Sequence, residues 1–320
     1  MKVATLKDVA KEAHVSLATA SYALNDDERI KEATRKKVKE VAKRLKYVPN
    51  GSARLLRQKQ SHRIIIFVSS FGGPIYQEIL EYIYQKLQIN NYEMLVCNGK
   101  SAQSILSEKN YDGIINFDAT IKTSILKEAS EYNFPIIDTT RNWENSKIIS
   151  LPLRGKKPVY EIINMAIKEG YKSFAYVHGS LDSYDDLHRY GGFKKALDEA
   201  NLLPSAIMYG NFTNTGGYDA IKAYLKDHKE LPEVIFFAND EMAIGAMDYL
   251  KKVNYDLKMV KIIGFDNIQL GKFYNPSLTT IEIDRNNWTT QIVNILLQSL
   301  NSLAKEEYIC KYKIIRRETF

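Results

Sequence analysis

The sequence predicts a small all-α helix-turn-helix head joined to a larger α/β body of two doubly wound lobes. Three observations carry this expectation. Residues 5–46 show helical periodicity, with two capped helices and small residues where they would cross. From Arg63 onward, short apolar runs alternate with helical segments, the mark of parallel strands buried on both faces. The charge is also uneven: residues 1–60 hold 15 Lys and Arg against 7 Asp and Glu, while the remainder holds 30 against 31.

At 320 residues, 26% charged and 45% hydrophobic, the chain has the composition of an ordinary globular protein with two or three domains. A basic head on a near-neutral body is the electrostatic footprint of nucleic-acid binding.

The head is read first. Thr5 and Asp8 make a capping box, and Leu6, Val9, Ala10 and Ala13 form one apolar face. His14 breaks that run. Ser16 can cap a second helix, with Ala20, Ala23 and Leu24 inward and Thr19, Ser21 and Asn25 on its outside. A third helix, Glu32 to Leu45, places Val38, Val41, Ala42 and Leu45 on one side and Lys36, Lys37, Lys39, Lys43 and Arg44 elsewhere. Pro49 then forbids a continuous helix. Residues 52–59 could form one or two helical turns, a linker that orders only with a partner. The expected domains are 1–48, a hinge and linker 49–61, and 62–320.

In the body, strands are expected at 63–69, 92–97, 112–116, 135–138, 173–178, 233–238 and 260–265, with a last strand pattern in YKIIRRETF. Helices are expected at 75–87, 158–168, 187–200, 216–226 and 242–252. Two lobes follow, about 62–152 plus 285–312 and 153–284 plus 313–320. In such sheets ligands bind beyond the carboxyl ends of the strands.

Several classes are disfavoured. Cys97 and Cys310 form no CxxC and no Cys/His cluster, which argues against a zinc site or a disulfide framework and suits a reducing cytosol. MKVATLKDVAKEA has no apolar core of a signal peptide, so a cytoplasmic location is expected. The longest strongly apolar run, Ile64 to Val68, is too short to cross a bilayer. No GxSxG, P-loop or HExxH appears, so neither an enzyme nor a cofactor is expected.

A helix entering the major groove needs short polar groups near its N-terminus, with phosphate partners around them. TLKDVAKEAHVSLATASYALN meets that need and resembles the LacI/GalR family of bacterial transcription regulators. TRKKVKEVAKRLKYVPN is similar to the family's third helix and Tyr-x-Pro-Asn exit, and SARLL to its hinge helix. The resemblance implies that Leu17, Ala18 and Tyr22 read bases and that Ser16, Thr19, Ser21 and Asn25 contact phosphates or bases. Thr5, Leu6, Tyr47, Asn50 and Ala53 complete the implied DNA surface. Leu56, or Leu55 if the register slips, would be a minor-groove wedge. Tyr22 stands where the family often has Arg, and cannot grip guanine bidentately. His14 stands where Gly is usual in the turn.

HRYGGFKKAL, FFANDEMAIGAM, IIGFDN and NPSLTTI resemble the family's effector domain, which has the type I periplasmic-binding-protein fold. That resemblance implies that Arg189, Asn239 and Asp266 converge on a hydroxylated effector: a donor fork, an amide and a carboxylate suit paired sugar hydroxyls. Phe212 and Tyr76 would grip the apolar faces of a ring. Asp138 is a further candidate from the first lobe, and Asp240 is expected to cap the following helix. The implied protein is a repressor acting as a homodimer on a pseudo-palindromic double-stranded DNA operator, controlled by a sugar or sugar phosphate. The alternatives are a purine-corepressor regulator, a regulator bound by a phosphorylated carrier protein, and a sugar-binding transport component. No leucine-rich tail follows the last strand pattern, so tetramerisation by such a tail is not expected. Three departures stand out: a shortened segment between Cys97 and Asp112, Arg154 where an acidic pair is usual, and Ser69-Ser70-Phe71-Gly72-Gly73 after the first strand.

Overall fold

The computed structural model describes residues 4–48, 60–132, 134–144, 147–181, 183–300 and 310–320. The chain divides into two compact units, Met1–Ser61 and His62–Phe320.

The first unit holds α1 (Leu6–Ala13), α2 (Leu17–Leu24) and α3 (Glu32–Arg44). Both halves of the capping box form: the Thr5 amide donates to Asp8 Oδ2 at 2.8 Å, and the Asp8 amide to Thr5 Oγ1 at 3.4 Å. His14 ends α1 in the left-handed region, at φ 54° and ψ 46°, a conformation that His tolerates better than most non-glycine residues. Ser16 Oγ caps α2 by accepting from the Thr19 amide at 3.0 Å. Val9, Ala10, Ala13, Ala20, Ala23, Val38, Val41 and Ala42 make the core. The alanines let the three helices approach closely enough to bury a core from so few residues. Ser21 differs from expectation: it is only 9% exposed, on the inner side of α2. One turn on, Asn25 donates its side-chain amide to the Ser21 carbonyl at 2.8 Å. The expected hinge, with Asn50, Ala53, Leu55 and Leu56, lies outside the described residues.

The second unit contains two parallel sheets. The first is β1 (Arg63–Val68), β2 (Glu93–Asn98), β3 (Gly113–Phe117), β4 (Ile136–Asp138) and β5 (Ile148–Ser150), in the order β2-β1-β3-β4-β5. Ile64, Ile66, Ile115 and Ile137 face α4 (Pro74–Ile89) and α12 (Arg285–Leu300) through Ile79, Ile83, Ile292 and Leu296. Ile65, Phe67, Ile114 and Ile136 face α5 (Ala102–Glu108) and α6 (Thr123–Ser130) through Leu106 and Leu126. Both faces are covered, which explains why these strands read as continuous apolar runs. The shortened stretch after Cys97 still makes a helix, α5, of only 7 residues.

The second sheet is β6 (Phe174–His178), β7 (Ala206–Tyr209), β8 (Val234–Phe237) and β9 (Lys261–Ile263), in the order β7-β6-β8-β9. Its helices are α7 (Lys156–Lys168), α8 (Tyr184–Glu199), α9 (Asn214–Asp227) and α10 (Asp240–Lys252). α9 and α10 touch backbone to backbone: a Cβ on Gly217 would lie 1.9 Å from the Met242 carbonyl oxygen, and one on Gly245 1.8 Å from that of Asn214. Asp240 does not cap α10. Asn239 does, its Oδ1 accepting from the Met242 amide at 3.1 Å. A short α11 (Gln269–Phe273) precedes an antiparallel pair, β10 (Thr280–Ile283) and β11 (Tyr312–Ile315). β5, β7 and β10 add to the expected strands. They are three or four residues long, too short to show a period. Among the described residues, no helix is long and apolar enough to cross a membrane.

Candidate functional site

The two units carry separate sites. In the first, Ser16, Leu17 and Ala18 stand exposed at the start of α2, Leu17 at 46%. Ser16 Oγ also pairs with Thr19 Oγ1 at 2.8 Å, so the cap and its neighbouring hydroxyl form one polar cluster. Thr5 and Asn25 are exposed, while Leu6 and Tyr47 lean on the core. Tyr22 is half-buried, with the Arg29 guanidinium 4.7 Å from its ring centroid. Asp27 holds Arg29 in a fork, with contacts of 2.9 and 2.6 Å, and the guanidinium lowers the Asp27 carboxyl to about 2. A cation from the following loop therefore stands against the Tyr22 ring.

In the second unit a cavity of about 850 Å³ opens where the sheets' strand ends converge. Ser69 and Ser70 follow β1, Thr120 follows β3, Thr140 follows β4, Phe212 follows β7, Asn239 follows β8 and Asp266 follows β9; all line the cavity. Five of the six expected ligand residues are brought together here: Tyr76, Arg189, Phe212, Asn239 and Asp266.

Each is positioned by its neighbours. Arg189 projects from α8 and is only 5% exposed. Its Nη1 donates to the Ala238 carbonyl, its Nη2 lies 3.8 Å from Asp266 Oδ1, and its Cζ lies 3.8 Å from the Phe265 ring centroid. Asn239 uses its amide nitrogen to hold the Phe212 carbonyl at 2.8 Å. The Phe212 ring fills the space over Gly179, where any Cβ would collide with it. Tyr76 hydroxyl pairs with Ser69 Oγ at 2.8 Å and donates to the Phe117 carbonyl at 3.3 Å. Asp266 has φ 110°, a strained backbone for a non-glycine residue. Its amide donates to the Ile281 carbonyl at 2.8 Å, and its carbonyl accepts from Arg285 Nη1 at 2.7 Å. Arg285 in turn pairs with Glu78 of α4 at 2.6 Å.

Asp138 is not brought to the cavity. It is fully buried, and its carboxylate is spent on its own loop and on β3: Thr140 donates through amide and hydroxyl at 2.8 and 2.7 Å, Trp143 Nε1 at 2.8 Å and Asn116 Nδ2 at 3.2 Å. Arg154 does not line the cavity either. It is exposed, and its charge acts on Tyr184 and His188.

Sequence reasoning missed Asp185, Glu241, Thr120, Thr140 and Trp288, all of which line the cavity. Burial pushes the Asp185 carboxyl up to about 6 and also raises Glu241 and Asp266. Asp185 and Asp186 open α8, where acidic residues read simply as partners of the helix dipole. They have different fates: Asp186 is bonded to Tyr176 and His178, both at 2.8 Å, whereas Asp185 faces the cavity. The whole arrangement suits holding a polar ligand between aromatic and hydroxyl-bearing walls.

The profile of "Bacterial regulatory proteins, lacI family" matches residues 5–50, and that of "Periplasmic binding protein-like domain" matches residues 163–320. The HTH-type transcriptional regulator RegA of Clostridium acetobutylicum is 32% identical over 99% of each chain. The HTH-type transcriptional repressor PurR of Histophilus somni is 29% identical over 96% of this chain and 95% of that one. The crystal structure of a sugar-binding transcriptional regulator of the LacI family from Enterococcus faecalis is 30% identical, covering 82% of this chain and 99% of that chain, with a TM-score of 0.75. These relatives are regulators, not enzymes. With the capped recognition helix, the strand-end cavity and identity sustained along the full length, the chain belongs to the lacI family of bacterial transcription regulators.

Proposed function

We propose that this regulator is a sugar-responsive repressor that binds a double-stranded DNA operator as a homodimer in the cytoplasm. The observation that carries the ligand class is the cavity lining. A desolvated guanidinium, carboxylates, an amide and side-chain hydroxyls line the cavity together with the rings of Tyr76, Phe212 and Trp288. Paired hydroxyls satisfy such a set of donors and acceptors, and ring C–H faces pack on the aromatics. The Enterococcus faecalis relative, whose title calls it sugar-binding, supports the same class. On the DNA side, the basic excess of residues 1–60 and the exposed start of α2 support operator binding by major-groove insertion.

Ligand control would be a population shift between lobe arrangements, biased by differential affinity for the two. The test begins with duplexes selected by the purified protein from a random library. Binding to the selected duplex is then measured against sugars, sugar phosphates and purines. A sugar that changes operator affinity supports the reading. A purine that does so alone moves the protein to the corepressor class, and binding without sequence preference removes the operator claim.

A further inference from the structure

The charge of the cavity does not balance. Among the described residues its lining holds three carboxylates, Asp185, Glu241 and Asp266, but one guanidinium, Arg189. That guanidinium is already engaged by the Ala238 carbonyl, the Phe265 ring and Asp266. The next cation behind it, Arg285, is paired with Glu78. Arg189 acts on Asp185 as well as on Asp266, so one guanidinium serves two buried carboxylates and the lining keeps an excess of negative charge.

Asp185 supplies a second, independent observation. Its Oδ1 is buried and accepts no hydrogen bond among the described residues. A buried carboxylate oxygen without a donor is costly, so a ligand that brings one is favoured. Glu241 reaches toward the opposite wall: a Cβ on Gly73 would lie 3.4 Å from its Oε1. A phosphate in this space would meet excess negative charge and a cation already committed elsewhere. An ammonium group brings only donors, which is what the bare Asp185 Oδ1 lacks.

We propose that the cavity takes an unphosphorylated sugar bearing a protonated amine, with the ammonium on Asp185 and Glu241 facing it across the cleft. This rests on the reading of the cavity as the effector site. The class excludes sugar phosphates, which the sequence had left open beside free sugars.

The experiment uses the full-length protein and calorimetric titration with matched sets: glucosamine, glucose and glucose 6-phosphate, and the galactose counterparts. The expected result is at least one amine binding about tenfold more tightly than its neutral parent, with no binding of the phosphate. Asp185→Asn should erase that preference, bringing amine and parent within about threefold. Glu241→Gln, at the partly exposed end of the site, should reduce the preference and guards against a failure of the Asp185 variant to fold. A neutral parent that binds as well as its amine, a phosphate that binds, an Asp185→Asn protein that keeps the preference, or silence across the panel overturns the proposal. Arg189→Ala separates the two levels. If it abolishes binding of whichever ligand is found while the amine preference fails, the cavity remains the effector site and only the ligand class falls. If it leaves binding intact, the cavity reading itself falls.

Discussion

Asp240→Asn should stabilise the body in a strongly pH-dependent way. Asp240 is fully buried; its Oδ1 accepts from Thr280 Oγ1 at 2.6 Å and its Oδ2 from the Ile268 amide at 2.8 Å. Burial, aided by the Asp266 charge, pushes its carboxyl from 3.8 up to about 8. In the unfolded chain the group ionises near its ordinary value. Below pH 4 it is protonated in both states and has no effect on folding. Between pH 4 and 8 the folded form retains a proton that the unfolded form releases, so stability falls as pH rises, by about 1.4 kcal/mol per pH unit. Above pH 8 the penalty is complete, roughly 6 kcal/mol across the window. An asparagine is neutral throughout and keeps both contacts: its oxygen accepts from Ile268 and its amide donates to Thr280 Oγ1. The variant should therefore match wild type near pH 4 and exceed it by several kcal/mol at pH 8. Urea unfolding followed by tryptophan fluorescence reads this on the body alone, because the two tryptophans, Trp143 and Trp288, both lie there. Slopes from Asp185 and Glu241 are common to both proteins and drop out of the difference. A stability difference that does not change with pH, or an asparagine variant weaker at pH 8, would refute the reasoning.

Three further outcomes are expected. Gly245→Ala forces a methyl into the Asn214 carbonyl and should cost about 1–3 kcal/mol or more, seen as a drop in Tm; an unchanged Tm would mean that α9 and α10 separate freely. Ser16→Ala removes the cap of α2 and should cost the head about 1 kcal/mol, measured by thermal unfolding of the helical signal. Operator affinity should fall steeply with salt, as phosphate contacts release counterions, and a flat salt profile would count against the basic head as the DNA surface.

How far the fold could be read depended on element length and burial. β1, with five consecutive buried residues, and α4, with 16 residues, announce themselves. β5 and β7 are three and four residues long and owe their place to neighbouring strands, a tertiary cause that no local pattern carries. The cavity residues divide in the same way. Arg189, Asn239 and Asp266 sit in distinctive strings, whereas Asp185 and Trp288 become ligand-facing only because distant strand ends converge. Asp138 shows the converse. A carboxylate at a strand end is a fair candidate for a ligand, but here Thr140 and Trp143 occupy it from its own loop. Ser21 departs from expectation for a related reason: a hydroxyl in a helix reads as outward, yet α2 is packed so tightly that its inner stripe takes serine along with alanine.

The strained residue at the floor of the cavity has a mechanical consequence. Asp266 hands its carbonyl to Arg285 at the root of α12, and Arg285 holds Glu78 in the second turn of α4. The chain of contacts runs from a ligand-facing residue through one rigid guanidinium strut to a helix on the other sheet. Because the strut is short and its three anchors are buried or half-buried, a small twist at Asp266 should reach α4 as a displacement, with little side-chain slack to absorb it. Changes at Glu78, which does not line the cavity, would then retune how strongly occupancy of the cavity is felt elsewhere, giving the response a dial separate from the one that sets ligand choice.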